Sequence, residues 1–316
     1  MSSSKNDFLS EKFKDYSIEF FVNNKFKNGY QIIHDEFSIE FMELIDKNLS
    51  DDEFCDFLIV CGFIPDYYSN DSSEETLYSK LVEATVAIWA KRLGFESELI
   101  KEKSSREDIK IEINNKIVVS DAKSFRLGRS QKAPNTKDFI KLADYEKWMR
   151  RYPNSLGGLI AYPCKHEWSN SSDVYLYCSN KSTPVVMLPY KYLSLFLKFK
   201  DSFNPSHLEF LWDYEKIFKN QLLKKMEGGN KKAYWSAINE QILDISNISK
   251  DDFLTFMKEA DIKINTYIKG IIKDLKQTKE NITNSIRYEI EQEDIDKIRE
   301  KYTEYKIHQE TELFDI

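Results

Sequence analysis

The chain has 316 residues, 41% hydrophobic and 31% charged, a composition typical of a globular protein with enough apolar material for a large core. It contains only 9 glycines and 7 prolines, which favours long helices, and its net charge of −7 argues against a nucleic-acid partner unless basic residues are locally concentrated. The four cysteines and four histidines have neither zinc-ligand nor HExxH spacing, which argues against a zinc hydrolase or a histidine nuclease.

The amino-terminal sequence MSSSKNDFLSEKFKDY lacks the apolar stretch of a secretory signal. No apolar run elsewhere is long enough to cross a bilayer. We therefore expect a cytoplasmic protein with one core to which helical layers are added.

Helices are predicted for most of the first seventy residues. Asp51 is expected to cap a helix over DDEFCDFLIVC, which stops at Gly62. A further helix is predicted from Ser72 to Gly94, because Ser72 and Glu75 have the spacing of a capping box. Its apolar positions recur at helical spacing, at Leu77, Leu81, Ile88 and Trp89.

The hydrophobic period then changes to two. Ile109, Ile111 and Ile113 alternate with polar residues, and Asn114 and Asn115 can form a tight turn. The run KIVVSDAKSF follows as a second, more buried strand. Together these features predict a β-hairpin.

Three short β-prone runs follow at 158–162, 173–178 and 184–188, and a helix is predicted near 190–199. The chain is expected to be helical again from about residue 205. A polar stretch at 280–312 is either a solvated helix or a fraying end.

The succession of helix, strands and helix predicts the α/β class. We divide the chain into a helical region at 1–70, an α/β core at 71–204 and a second helical region at 205–316.

The hairpin register predicts the position of three charged side chains. If Asn114 and Asn115 form a two-residue loop, counting outward along both strands places Asp108 directly opposite Asp121. Because side chains alternate with a period of two, Lys123 projects from the same face as Asp121. The two carboxylates and the ammonium group are therefore expected to converge.

Two aspartates opposite each other would repel in a purely structural sheet. A hard divalent cation such as Mg²⁺ removes that repulsion, and the adjoining Lys123 could orient or deprotonate a water molecule for hydrolysis of a phosphodiester. The structural alternative is that Asp108 sits at an exposed edge and Asp121 merely pairs with Lys123 or an arginine.

Two further features bear on this hypothesis. Glu83, in the helix before the hairpin, is a candidate accessory acid, with an exposed helix glutamate as the alternative. The segment from 123 to 151 is rich in basic residues, which predicts a surface for DNA phosphates, with a solvated helix face as the alternative. Its nine basic residues are Lys123, Arg126, Arg129, Lys132, Lys137, Lys141, Lys147, Arg150 and Arg151.

At these residues the sequence resembles the HindIII family of type II restriction endonucleases. The similarity is strongest in DAKSFRLGR at 121–129, followed by KDF at 137–139 and WMR at 148–150. Weaker similarity lies in CGFIPDYY, in ETLYSK and in the LW of 211–212. The resemblance covers roughly residues 40–215.

The resemblance implies a PD-(D/E)xK nuclease core, in which helices flank a central mixed β-sheet, with Mg²⁺ as the cofactor. It also implies a homodimer that cleaves double-stranded DNA at a short palindrome, leaving 5′-phosphate ends, with AAGCTT as a guess for the site. A cognate DNA methyltransferase is implied as a genetic partner. Asp108, Asp121 and Lys123 match the family's catalytic acids and lysine, the two aspartates being metal ligands, and Glu83 falls where the family also has an acid.

Candidate DNA contacts are Ser124, Arg126, Arg129, Lys132 and Lys137. The chain departs from the family pattern because Glu107, and not a proline, precedes Asp108, and because its last hundred residues show no resemblance. Two alternatives stay open, a structure-specific or repair nuclease of the same core and a non-catalytic DNA-binding protein.

Overall fold

The computed structural model describes residues 15–28, 34–100, 106–126, 134–165, 168–292 and 295–311. The chain forms two compact units, Met1–Ile264 and Asn265–Ile316. The first unit contains the sheet and the candidate site.

The described residues up to Ile59 are largely helical, as predicted. The helices are α1 (Ile18–Lys27), α2 (His34–Asn48) and α3 (Asp51–Ile59). The predicted cap at Asp51 is wrong by one residue. Ser50 is the N-cap, because its hydroxyl accepts the Glu53 N–H while the Glu53 carboxylate accepts the Ser50 N–H.

The long helix before the hairpin is confirmed. Strand β1 (Phe63–Ile64) leads into α4 (Ser73–Arg92), which is capped by the Ser72 hydroxyl. The Glu75 carboxylate accepts the N–H of Asp71 in place of that of Ser72, so the cap is not fully reciprocal. The middle of α4 is buried almost without interruption from Leu77 to Ala90.

A five-stranded mixed sheet forms the centre of the fold. Its strands are β2 (Glu96–Leu99), β3 (Ile109–Ile113), β4 (Lys116–Ala122), β6 (Ser155–Tyr162) and β7 (Val185–Pro189). Strands β2, β3 and β4 pair antiparallel in that order, and β4, β6 and β7 pair parallel. Strand β5 (Phe125–Arg126) pairs in parallel with β1.

Helices cover this sheet, which confirms the predicted α/β class with helices flanking a mixed sheet. Between β5 and β6 lie α5 (Thr136–Phe139) and α6 (Leu142–Met149). Both α4 and α6 contact β4, and every residue of β4 after Lys116 is buried. A strand that is buried on both faces is typically a continuous run of apolar residues, as the IVV within KIVV is.

One predicted strand is a helix. The residues 173–178 form α7 (Val174–Tyr177), although valine and tyrosine favour strands. The Tyr175 hydroxyl donates to the carbonyl of Trp168 at 3.3 Å, and its ring lies 6.1 Å from that of Tyr234. Burial against other parts of the chain, Tyr234 among them, thus overrides the local preference.

The described elements after β7 are all helical. They are α8 (Tyr190–Lys198), two 3₁₀ segments (Lys200–Ser202 and Pro205–Trp212), α9 (Tyr214–Ile217), α10 (Asn220–Glu227), α11 (Ala233–Ser246), α12 (Lys250–Gln292) and α13 (Ile295–Thr311). The polar stretch at 280–312 is therefore helical where it is described, with mostly exposed side chains. Within the described residues no helix has the length and apolar character needed to span a membrane.

Candidate active site

The hairpin between β3 and β4 has the predicted register. Asn114 and Asn115 both adopt left-handed backbone conformations, with φ of 52° and 59°, as a two-residue type I′ turn requires. Ile113 is paired with Lys116 and Ile109 with Ser120. The N–H of Asp108 donates to the carbonyl of Ser120 at 3.1 Å, which brings Asp108 beside Asp121.

The three predicted side chains converge at the end of this hairpin. The carboxyl groups of Asp108 and Asp121 line the same cleft and interact electrostatically. Asp121 Oδ2 lies 2.5 Å from Lys123 Nζ, and Asp108 Oδ2 accepts the N–H of Ala122 at 3.3 Å. Asp121 does pair with Lys123, as the structural alternative supposed, but Asp108 is part of the same cluster and is not at an exposed edge.

Glu83 reaches the same cluster from α4. Its side chain is buried and forms a 2.7 Å ion pair with Lys80. Its carboxylate also interacts electrostatically with Asp121 and Lys123. The alternative of an exposed helix glutamate is wrong, because the middle of α4 is covered around its whole circumference.

The cluster strongly perturbs proton affinities. Burial raises the pKa of Asp108 well above its usual value, and the nearby charges of Asp121 and Glu83 raise it further. Burial also raises the pKa of Glu83, which the Lys80 ammonium partly offsets. Burial alone would lower the pKa of Lys123, but the surrounding carboxylates, Asp121 first, raise it overall. Lys123 is thus held as an ammonium group.

A cleft of about 240 Å³ opens onto Asp108, Asp121 and Lys123. Its apolar wall consists of Phe139 of α5 and of Tyr145 and Trp148 of α6. Tyr145 packs directly on β6 because Gly158 has no side chain: a Cβ there would lie 2.4 Å from Tyr145 Cδ1. The absence of one methyl group on β6 therefore sets the position of the cleft wall.

The chain is similar to known proteins over most of its length. The model of the HindIII restriction endonuclease family matches residues 41–288, which is more than half of the chain. The chain belongs to the HindIII restriction endonuclease family. A curated relative, the type II restriction enzyme HindIII of Haemophilus influenzae, is 23% identical over 272 residues, covering 82% of this chain and 83% of the relative.

The family match confirms the predicted resemblance and is consistent with the mixed α/β sheet. It extends beyond the limit near residue 215 that the sequence motifs indicated, and reaches into α12. The expectation that the last hundred residues lack similarity is therefore wrong for most of them. Long polar helices carry few distinctive short motifs, so their similarity is detectable only over the whole length.

Several cleft residues of this family member were not among the predicted site residues. Asp138, Lys141 and Asp144 line the cleft from α5 and α6, and Arg106 lines it from the segment before β3. Asp138 belongs to the KDF motif that carries the resemblance, which was the available signal for it. Lys141 belongs to the basic segment predicted to face DNA phosphates, whereas Arg106 and Asp144 have no local signal, because their position depends on how the chain around β3 and α6 packs against the sheet.

The predicted DNA contacts occupy different environments. The hydroxyls of Ser124 and Ser79 are hydrogen-bonded at 2.9 Å, and Lys137 is exposed at the start of α5. Arg126 forms a 3.0 Å ion pair with Glu75 and donates to several main-chain carbonyls between residues 65 and 69. Its guanidinium therefore joins β5 to the loop before α4.

Two other predicted DNA contacts, Arg129 and Lys132, lie outside the described residues. The roles of all five residues in contacting DNA stay predictions. The positively charged segment is also partly neutralised, since Arg150 lies 3.6 Å from Glu146 and Arg151 lies 3.5 Å from Glu107.

The donor set at the cleft suits a magnesium ion. In the described part of the chain, no group of three or more His, Cys, Asp or Glu side chains is arranged to hold a metal ion. Mg²⁺ does not need such a group, because it is usually held by one or two carboxylates together with water and phosphate oxygens. Asp108 and Asp121 offer two carboxylates at the open end of a strand pair.

Proposed function

We propose that this chain is a type II restriction endonuclease that uses Mg²⁺ to hydrolyse both strands of DNA at a short palindromic sequence, leaving 5′-phosphate ends. The observation that carries the proposal is the convergence of Asp108, Asp121 and Lys123 on one cleft, in a member of the HindIII restriction endonuclease family.

Asp108 and Asp121 would hold the metal ion. When bound, Mg²⁺ supplies a Lewis acid for the phosphodiester and lowers the pKa of a coordinated water molecule. The mutual repulsion of the two carboxylates, which raises the pKa of Asp108, favours the binding of a cation between them. Glu83 adds negative charge beside this pair and is proposed as an accessory acid.

Lys123 is proposed to orient the attacking water and to stabilise negative charge on the phosphate. The carboxylates around it raise its pKa, so the ammonium form is favoured. An ammonium group donates hydrogen bonds but accepts no proton. Of the two roles considered from the sequence, orientation of the water is therefore favoured over deprotonation.

Ser124, Arg126, Arg129, Lys132 and Lys137 are proposed to contact the DNA near the cleft, on the strength of their position directly after Lys123. Because Arg126 already binds Glu75 and main-chain carbonyls, its proposed effect on DNA is indirect, through the link that it makes between β5 and the loop before α4. Exposed Lys137 is proposed to bind a phosphate directly.

A homodimer is proposed on grounds of symmetry. A palindrome has two equivalent scissile phosphates related by a twofold axis, and a twofold protein with two active sites matches them. A cognate DNA methyltransferase is proposed as a genetic partner, because an unmodified host genome would be cut. The mass in solution, measured by sedimentation with and without duplex DNA, tests the dimer.

Digestion of plasmid DNA tests the activity. We expect discrete fragments with Mg²⁺, none with EDTA, and a rate loss of about 10²- to 10³-fold in Lys123→Ala, the loss typical of removing one donor that stabilises developing charge. Lys198→Ala is the matched control, since Lys198 also forms a 2.7 Å ion pair with an aspartate, Asp52, but does not line the cleft. If neither the wild-type protein nor Lys123→Ala cleaves the plasmid, the proposal that this chain is an enzyme is rejected.

Sequencing of the fragment ends identifies the site and the bond that is cut. AAGCTT is the first candidate because of the family resemblance. The same short palindrome at every fragment end would support a restriction enzyme. Cleavage confined to four-way junctions or damaged duplexes would instead support a structure-specific or repair nuclease.

A further inference from the structure

Arg106 is placed at the cleft by the residues around it. It lies two positions before Asp108, and its side chain lines the cleft together with Asp108, Asp121 and Lys123. The side chain is 26% exposed, so it is accessible from the cleft without extending into solvent. It belongs to none of the sequence motifs described above.

The neighbouring Glu107 is completely buried and is surrounded by polar groups. Its Oε1 lies 3.8 Å from Arg106 Nη2 and accepts a hydrogen bond from the Tyr152 hydroxyl. Its Oε2 lies 3.5 Å from Arg151 Nη1. A buried carboxylate is costly to desolvate unless cations and hydrogen bonds compensate it, so the position of Glu107 requires these partners.

The same groups hold the Arg106 guanidinium. Its Nη2 donates to the Tyr152 hydroxyl at 3.3 Å, beside the ion pair with Glu107. A guanidinium is planar and carries five N–H donors in a rigid fork. Contacts to Nη2 therefore restrict the directions in which the other donors of the group can point.

Arg106 brings a guanidinium cation to the cleft, next to the carboxylates of the candidate site. The cleft is otherwise rich in carboxylates, including Asp138 and Asp144. Lys123 and Lys141 also line the cleft, but among its cations only the guanidinium of Arg106 matches the geometry of two phosphate oxygens at once.

We infer that Arg106 binds a phosphate group of the DNA backbone in the cleft, and that Glu107 and Tyr152 are positioning residues that direct its guanidinium. This inference rests on the proposed function. It adds a phosphate contact from the residues that precede β3 in the sequence. The basic segment predicted to contact DNA, by contrast, begins at Lys123, after β4.

The salt dependence of DNA binding tests the phosphate contact. Binding to a duplex carrying the mapped cleavage site is measured at several salt concentrations in Ca²⁺, a hard cation that also takes oxygen ligands. Each phosphate contact contributes about −0.9 to the slope of log K against log salt. We expect Arg106→Gln to weaken binding on the order of 10-fold and to reduce the slope by about 0.9.

Two matched variants complete this experiment. Arg106→Lys retains the charge, so it should keep the slope while losing part of the affinity. Arg299→Gln removes an arginine that also has an aspartate neighbour, Asp296 at 3.7 Å, but is highly exposed on α13, and it should change neither quantity. An unchanged slope in Arg106→Gln would overturn the phosphate contact.

A double-mutant cycle tests the positioning role. Tyr152→Phe removes the hydroxyl that bridges Glu107 and Arg106 but keeps the ring. We expect it to raise KM several-fold with little change in kcat, and to have no further effect in the Arg106→Gln background. Additive effects in the double variant would show that Tyr152 acts independently of Arg106 and would refute the positioning role.

Glu107→Gln provides a second measurement, with thermal unfolding as the control for folding. If Glu107→Gln remains folded, its KM should rise as in Tyr152→Phe. If it unfolds, the result for Tyr152→Phe alone decides whether the network positions Arg106. Failure of the wild-type protein to bind or cut DNA would defeat the proposed function. Wild-type binding with no effect of Arg106→Gln would defeat only this inference.

Discussion

The hydroxyl of Tyr190 donates a 2.7 Å hydrogen bond to the main-chain carbonyl of Lys123. On its other side, the N–H of Lys123 donates to the carbonyl of Ala161 at 2.8 Å. The main chain that carries the ammonium group is thereby fixed from both β6 and the start of α8. The position of Lys123 relative to Asp121 depends on these contacts as much as on the strand itself.

Tyr190→Phe should separate positioning from packing. It removes one hydrogen bond and keeps the buried ring, so the free energy of unfolding should fall by about 1 kcal/mol. We expect kcat to fall on the order of 10-fold with a smaller change in KM, because a slight displacement of Lys123 misaligns it. Single-turnover cleavage and urea unfolding measure the two effects.

The control for this variant is Tyr192→Phe on the same helix. Tyr192 is also buried, and its hydroxyl donates to Asn239 Oδ1 at 3.0 Å, away from Lys123. It should lose similar stability without a loss of rate. Equal rates in the two variants would contradict a positioning role for Tyr190.

Gly62→Ala should disturb the main chain at Lys123, because Gly62 lies against both Tyr190 and the Lys123 carbonyl. Gly62 has φ of +86°, and a Cβ there would lie 2.8 Å from Pro163 Cγ and from Tyr190 Cε2, and 3.3 Å from the Lys123 carbonyl. We expect a loss of about 1–3 kcal/mol in the free energy of unfolding, and slower cleavage because Tyr190 or Lys123 must move. Chemical unfolding and cleavage rates at one temperature measure both.

Gly94→Ala is a closely matched control. Gly94 has nearly the same φ, +88°, but a Cβ there would meet no atom within 4 Å. The variant should therefore show the backbone strain alone, with an unchanged rate. A comparable loss of activity in Gly94→Ala would mean that strain, and not contact with the site, explains the effect at Gly62.

Asp108→Asn should stabilise the metal-free protein at neutral pH. The folded-state pKa of Asp108 is raised, so the folded protein binds more protons than the unfolded chain above the unfolded aspartate value of about 3.9. The stability contributed by this group is thus complete at low pH and is lost as pH rises through the folded pKa. Asparagine does not ionise and avoids that loss.

We expect Tm in EDTA to rise by about 2–4 °C at pH 7.5 in Asp108→Asn, and the difference from the wild type to vanish near pH 3. Cleavage should be abolished. The exposed Asp52→Asn variant is the control and should show no such pH dependence. A lower Tm than the wild type at neutral pH would contradict the predicted direction.

Lys80→Gln should shift the pH dependence of cleavage. The Lys80 ammonium lowers the pKa of Glu83, which burial otherwise raises. Removing the ammonium should raise that pKa further, so the acidic limb of the rate profile should move to higher pH if ionised Glu83 takes part. Lys91→Gln, at an exposed position of the same helix, should leave the profile unchanged; movement of both profiles would refute the assignment.

Local sequence was sufficient to predict the core of the candidate site. Two adjacent asparagines tolerate left-handed conformations, and the alternating isoleucines before them define which face is buried. Because strand side chains alternate strictly, the turn alone fixes which residues meet across the hairpin. The juxtaposition of Asp108 and Asp121 therefore follows from a segment of fewer than twenty residues.

Only the tertiary structure decided what surrounds that pair. The burial of Glu83, the engagement of Arg126 by Glu75 and the placement of Arg106 at the cleft depend on α4, α6 and the segment after α6. Similarly, the residues 174–177 favour a strand by their composition but form a helix. In this helix Tyr175 is buried against Trp168 and Tyr234. Hydrophobic packing is not directional, so a local pattern states which side chains are buried but not which distant ones they meet.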